Sequence, residues 1–164
     1  MGDVVNAEPH IEGLSLTPLR VIADSRGAVL HLWRGDNADS GAIGECYFSE
    51  VLPGSVKAWK RHRRQTQNLA VPSGRARFVI VDCRETSSTR GSVRLIELGR
   101  PDAYSRLRIP PLVWYGFTAL GESPCLIANC PDIPHDPAEG ETIALEEIRP
   151  EFALRALQEG VVRA

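Results

Sequence analysis

From residue 14 to residue 130, short apolar runs follow one another almost without pause, each bounded by Gly, Pro, Asp or Ser. Nowhere in that stretch do apolar residues recur at helical spacing. Runs of four to eight residues are too short to bury themselves as helices and do so by pairing side by side, so the pattern dictates an all-β sandwich or barrel. Strands are expected over 19–23, 29–34, 45–51, 56–62, 67–71, 76–83, 92–98, 105–109, 113–119 and 125–130. Between them, Asp24-Ser25-Arg26-Gly27, Pro53-Gly54 and Ser73-Gly74 carry turn chemistry, with a glycine free to take a positive φ. The 14 Gly and 12 Pro of the chain fit a fold made of many turns.

After Cys130 the pattern changes. Residues 131–141 are rich in Pro, Asp and Gly and read as an irregular surface segment. Over 150–159 the apolar residues Phe152, Ala153, Leu154, Ala156 and Leu157 fall at near-helical spacing behind a proline suited to a first helical turn, which predicts one short C-terminal helix. No repeat or linker divides the chain. The expectation is a single domain over 1–164, with its barrel core at about 19–130 and an irregular tail and helix over 131–164.

Composition excludes several classes of function. A formal net charge of -2 gives no global reason for nucleic-acid or membrane-surface binding, so neither partner is expected. No segment approaches the roughly 20 apolar residues needed to span a bilayer, and the amino terminus has no basic stretch followed by an apolar one. Cys46, Cys83, Cys125 and Cys130 show no metal-binding spacing and lie in or beside apolar runs. Reduced core thiols and a cytoplasmic location are the expectation.

Two spacings carry chemistry. From Gly54 to Gly74 the order is Gly, five residues, Lys60-Arg61-His62, four residues, Gln67, six residues, Gly. Further on stands Pro110-Pro111-Leu112-Val113-Trp114-Tyr115. Side chains alternate across a strand, so Val56, Ala58, Lys60 and His62 share one face and Lys57, Trp59 and Arg61 the other. With the small apolar pair inward, Lys60 and His62 also face inward, their Cα atoms about 6.5–7 Å apart. A basic cluster of Lys57, Lys60, Arg61, Arg63, Arg64, Arg75 and Arg77 crowds two neighbouring strands, and guanidinium groups bind phosphate oxygens in pairs. Trp59 or Trp114 is suited to stack on a base or sugar. His31 and His135 are placed to approach the same end of the barrel.

These spacings resemble the two sequence motifs of the cupins. Ile109-Pro110-Pro111 followed by Tyr115-Gly116-Phe117, Asp82-Cys83-Arg84 with Ser88-Thr89-Arg90-Gly91, and Asp24-Ser25-Arg26-Gly27 with Val29, His31 and Trp33 are similar to segments of the dTDP-4-dehydrorhamnose 3,5-epimerases and related sugar-nucleotide ketoisomerases, in the same order. The resemblance implies a jelly-roll barrel (a double-stranded β-helix) and a homodimer that binds a nucleoside-diphosphate sugar at the barrel mouth. It also implies no cofactor.

In a metal-binding cupin the four motif places hold His, His, Glu and His; here they hold Lys60, His62, Gln67 and Tyr115. One ligand remains, beside a lysine whose charge repels a second cation, so no metal is expected. The same lysine favours neutral imidazole at His62, the form that removes a proton. By position His62 matches the family's catalytic base. Lys60 is assigned to steady the enolate and Tyr115 to return the proton from the opposite face. Arg26 matches a family diphosphate contact, and Gln67, Arg77, Trp59 and Trp114 complete the expected substrate contacts.

The departures from the family are specific. Trp59 stands where the family has an arginine and Gln67 where it has a lysine. The family's tyrosine acid falls near Ile127 or Ala128, and the aspartate that orients the histidine has no counterpart. The expected activity is metal-independent epimerisation of a nucleoside-diphosphate 4-keto-6-deoxy sugar. The alternative is a degenerate cupin that binds a sugar nucleotide, or another anionic small molecule, without turnover.

Overall fold

The structure, a computed structural model, describes residues 10–36 and 41–148. The helix expected over 150–159 lies outside those residues.

Strands β1 (Ser15–Pro18), β2 (Val21–Asp24), β3 (Gly27–Leu30), β4 (Tyr47–Val51), β5 (Val56–His62), β6 (Gln67–Ser73), β7 (Arg75–Val81), β8 (Val93–Gly99), β9 (Ser105–Ile109), β10 (Trp114–Ala119), β11 (Cys125–Asn129) and β12 (Gly140–Thr142) follow in chain order. All pair antiparallel. One sheet runs β1-β9-β6-β11-β4, the facing sheet runs β12-β5-β10-β7-β8, and β2 with β3 forms a separate hairpin. This is the cupin jelly roll, nearly all β among the described residues, which include one 3-10 turn at Leu145–Glu147. The ten expected strands are present with shifted ends. Two more, β1 and β12, lay outside expectation, and β12 pairs with the edge of β5 inside the segment read as irregular.

Period-two alternation sorts side chains into two clusters. On β7, Ala76, Phe78 and Ile80 face the barrel interior, where they meet Leu69, Val71, Leu107, Ile109 and Ile127 of the facing sheet. Val79 and Val81 face outward and pack with Trp59, Trp114 and Ile148, under a cover that includes Ile143 and Leu145. The segment after Cys130 therefore shields the outer face of the β5–β10–β7 sheet and keeps that face dry.

Turn chemistry locks the connections. Gly74, between β6 and β7, has φ +73°, and a Cβ there would stand 2.8 Å from the Cα of Cys125, so no other residue fits without strain. Between β7 and β8 the fully buried carboxylate of Asp82 accepts bonds from the Arg84 guanidinium (2.8–2.9 Å) and from the hydroxyls of Ser87 and Thr89 (2.6 Å each). Burial pushes this carboxyl up, but Arg84, Ser87 and Thr89 together hold it well below the usual carboxylate range. Asp82 and Arg84 thus fasten a loop.

Candidate active site

Strand β5 does not alternate throughout. Tyr115 of β10 pairs with Lys60 and Phe117 with Lys57, so three steps along β5 oppose two along β10, and the register shifts between the two pairs. Paired residues in an antiparallel sheet project to the same side. Tyr115 and Phe117 pack in the barrel interior, so Lys57 and Lys60 point there together. Val56 and Ala58 pack against the outer cluster instead. The expected face assignment is corrected in both directions: Lys57 is inside, Val56 and Ala58 are outside, and Lys60 faces inward because the bulge resets the alternation.

Beyond the bulge, alternation resumes. Arg61 lies outward with its guanidinium 4.6 Å above the Trp114 ring, and His62 turns inward, 6 % exposed. His62 Nε2 lies 3.2 Å from the Tyr115 hydroxyl, and the two rings stack with centroids 6.2 Å apart. His62 and Tyr115 belong to the same sheet. The expectation that Tyr115 stands across the cavity from His62 is therefore corrected, because β5 and β10 are hydrogen-bonded neighbours.

The interior holds a cavity of about 380 Å³, lined by Lys60 and Tyr115 on one wall and by Tyr47, Ser49 and Asn129 on the other. A smaller cavity of about 180 Å³ lies beside it, lined by His62, His135 and Asp136 and sharing Lys60 and Thr142 with the first. Lys60 has no hydrogen-bonding or ion-pair partner among the described residues, whereas Lys57 donates to Ser49 Oγ (3.1 Å) and to the Glu50 carbonyl (2.7 Å). The cavity thus borders one uncommitted ammonium group.

Tyr47 and Asn129 were not anticipated. Tyr47 on β4 pairs in register with Asn129 on β11, and Asn129 Nδ2 donates to the Tyr47 hydroxyl at 2.8 Å and to Gln67 Oε1 at 2.6 Å. Gln67 Nε2 in turn donates to Gln65 Oε1 at 2.7 Å. This network satisfies buried amides, as a low-dielectric interior requires. Because the Tyr47 oxygen accepts from Asn129, its own proton remains available to the cavity. A polar Asn129 ending the apolar run 125–128 was the one signal in the sequence.

The remaining expected contacts do not converge on the cavity within this chain. Gln67 is 1 % exposed behind Asn129. Trp59 borders the cavity but is wholly buried, its indole N–H spent on the Leu145 carbonyl, and Trp114 lies under Arg61, so neither offers a face for stacking. Arg77 is held by Glu97 on the outer side of β7. Arg26 sits at the tip of the β2–β3 hairpin, bonded to Asp24. The basic cluster is dispersed among carboxylates: Arg61 and Arg63 pair with Glu141, Arg64 with Glu139, and Arg75 and Arg77 with Glu97. His31 lines neither cavity.

At the cupin metal position the donors do not fit a metal ion. The single imidazole has Nε2 against Tyr115, the Gln67 amide is engaged on both atoms, and Lys60 adds positive charge. Among the described residues no group of three or more His, Cys, Asp or Glu is placed to hold one.

Burial foremost, then the Lys60 charge, lowers the His62 pKa to about 4, with Glu139 opposing and His135 adding to the fall. The imidazole is neutral at pH 7. Nδ1 is buried without a hydrogen-bonding partner among the described residues. Burial raises the Tyr115 hydroxyl pKa far above its ordinary value, and Tyr47 adds to the effect. The Tyr47 hydroxyl is raised by burial, lowered by the Asn129 bond and raised again by Glu45, so it too stays protonated.

The fold and donor set define a cupin whose barrel holds a neutral imidazole and a lysine, unpartnered among the described residues, in place of metal ligands. The sequence profile of the dTDP-4-dehydrorhamnose 3,5-epimerase family matches residues 8–155, and the chain belongs to that family. It is 35 % identical over 130 residues to the probable low-salt glycan biosynthesis epimerase Agl13 of Haloferax volcanii, covering 78 % of this chain and 83 % of that protein. It is 32 % identical over 127 residues to the spore coat polysaccharide biosynthesis protein SpsL of Bacillus subtilis, covering 77 % and 83 %. The crystal structure of a dTDP sugar isomerase from Desulfovibrio desulfuricans superposes with a TM-score of 0.80 at 52 % identity, over 82 % of this chain and 85 % of that one. Membership places the chain among sugar-nucleotide epimerases and isomerases.

His62 titration tests the electrostatics of the site. Its folded pKa lies below the unfolded value of about 6.5, so the neutral ring contributes stability above that pH and loses it as pH falls toward 4. An NMR titration is expected to give a His62 midpoint near 4, shifted upward in Lys60→Met. A midpoint at or above 6.5 would contradict the site as described.

Proposed function

We propose that this protein epimerises a nucleoside-diphosphate 4-keto-6-deoxy sugar at a carbon beside the ketone, without a metal. The observation that carries the reading is a neutral, buried His62 beside Lys60, which is unpartnered among the described residues, both at the wall of the 180 Å³ cavity that adjoins the larger one.

A proton beside a ketone leaves when a base takes it and the electron pair moves onto the carbonyl oxygen as an enolate. His62 takes the proton. A base held near pKa 4 is deprotonated at every physiological pH but weak, so most of the driving force must come from stabilising the enolate. Lys60, half-buried at the cavity wall, supplies that stabilisation, because a charge beside apolar surroundings acts more strongly than one in bulk water. Tyr115 fixes the His62 ring through the Nε2 contact and works as a positioning residue.

Inversion requires the proton to return on the face opposite the base. Tyr47 meets that requirement: it belongs to the sheet facing β5, lines the larger cavity that shares Lys60 with the His62 cavity, is protonated at pH 7, and keeps its hydroxyl proton free of the Asn129 bond. It takes over the acid role first assigned to Tyr115. Binding without turnover is the second reading, and one observation favours it: among the described residues no carboxylate orients His62 through Nδ1.

The functional unit in this reading is a homodimer. Val21, Ile22 and Val29 of the β2–β3 hairpin are 39 %, 44 % and 61 % exposed, apolar surface that a second copy would cover, and Arg26 at its tip would then reach a neighbouring cavity with its guanidinium. A single-chain mass by light scattering would contradict this part.

Incubation with a dTDP-4-keto-6-deoxyhexose in deuterated water separates the readings. Wild type is expected to wash deuterium into the carbon beside the ketone and to give the inverted sugar. His62→Ala abolishes exchange, and Lys60→Met lowers its rate by about 10²–10³-fold. Tyr47→Phe keeps exchange but loses inversion, because the proton then returns on the face it left. No exchange in wild type, with the nucleotide sugar still bound, establishes binding without turnover.

A further inference from the structure

Cys46 and Cys130 meet at the rung next to the Tyr47–Asn129 pair. Cys46 precedes Tyr47 and Cys130 follows Asn129, so the Asn129↔Tyr47 register carried one step beyond the strands would set the two opposite each other, and the Cys130 thiol donates to the Cys46 sulfur at 3.3 Å. Directly opposed residues of an antiparallel pair have Cα atoms about 4.5–5.5 Å apart, inside the 4.4–6.8 Å range that a disulfide spans. The two thiols need only rotate to bond. Cys46 is exposed and Cys130 is buried, whereas Cys83 and Cys125 have no sulfur partner.

We propose that Cys46 and Cys130 form a reversible oxidation site, closed to an intrachain disulfide by hydroperoxides. The exposed Cys46 sulfur attacks the peroxide O–O bond, becoming a sulfenic acid while the peroxide leaves as water or an alcohol. Cys130 then displaces the sulfenic oxygen, which departs as a second water with the Cys130 proton, and the S–S bond forms. A dithiol has given two electrons and two protons to the oxidant. Reduction by an external dithiol reverses the change.

The arrangement divides the work. Solvent exposure lets the oxidant reach Cys46, and the Cys130 S–H aimed at its sulfur sets the second thiol beside the atom that is oxidised. Burial raises the Cys130 pKa to about 12 and so protects that thiol from direct attack; the Cys46 contact adds to the rise. The bond would fasten the edge strand β4 to β11 one residue from Tyr47 and Asn129, which line the cavity wall. The site depends only on strand register and thiol geometry, so it stands whether or not the reaction proposed above is correct.

The full chain is to be treated with hydrogen peroxide, its remaining thiols alkylated, and its peptides mapped by mass spectrometry with and without reductant. The expected product is a peptide pair joined through Cys46 and Cys130, about 2 mass units lighter than the two thiol peptides, and abolished by dithiothreitol. Cys46→Ser, an exposed and conservative change, should remove the linkage. Alkylation of both Cys46 and Cys130 after peroxide would overturn the proposal. Linkage of either to Cys83 or Cys125, a Cys46–Cys46 bond between chains, or irreversible oxidation of Cys46 with Cys130 still free would do the same.

Discussion

Between Lys57 and Lys60, strand β5 uses three residue steps where β10 uses two between Phe117 and Tyr115, and the contents of the barrel follow from that mismatch. Without the extra residue a strict period of two would leave Lys57 and Lys60 on opposite faces. With it, both lysines fall on the cavity side of the sheet, Lys57 exposed and bonded to Ser49 and Glu50, while Ala58 and Trp59 are given to the outer cluster. Trp59 is the largest side chain buried there, and its indole N–H is satisfied by the Leu145 carbonyl. The segment after Cys130 thus anchors the bulge from outside, and β12 pairs with Lys60, Arg61 and His62 along the same edge.

The facing sheet contributes what β5 cannot. Tyr47 and Asn129 meet because β4 and β11 are neighbours, and the amides of Gln65, Gln67 and Asn129 form one chain of hydrogen bonds behind the cavity wall. Among the described residues Lys60 takes no part in such pairing, and its ammonium borders both cavities. The ion pairs elsewhere on the barrel have the opposite effect: Glu97, Glu139 and Glu141 claim the arginines that a count of basic residues would have given to phosphate.

Some of this was legible in the sequence. The barrel was, because unbroken short runs with turn chemistry between them leave few other folds. His62 and Lys60 were reached through a premise that the structure replaces, namely that Val56 and Ala58 point inward; no sequence pattern announced the bulge. Strand β1 was missed because three of its four residues are exposed and it ends in a proline, and β12 because three residues amid Pro and Gly carry no period. Tyr47 was hidden by distance along the chain, since its partner Asn129 lies 82 residues away and only sheet order joins them. Trp59 and Trp114 looked like ligand platforms, yet alternation on β10 and the bulge on β5 turn both into outer packing.

A crystal structure with a dTDP-linked 4-keto-6-deoxy sugar, or a stable analogue, bears most directly on the barrel interior as the reaction chamber. The sugar ring should lie where the 380 Å³ cavity meets its 180 Å³ neighbour at Lys60, with its C4 oxygen within hydrogen-bonding distance of Lys60 Nζ, His62 toward one ring face and Tyr47 toward the other. A sugar bound outside the barrel, or one whose ketone lies away from Lys60, would contradict it.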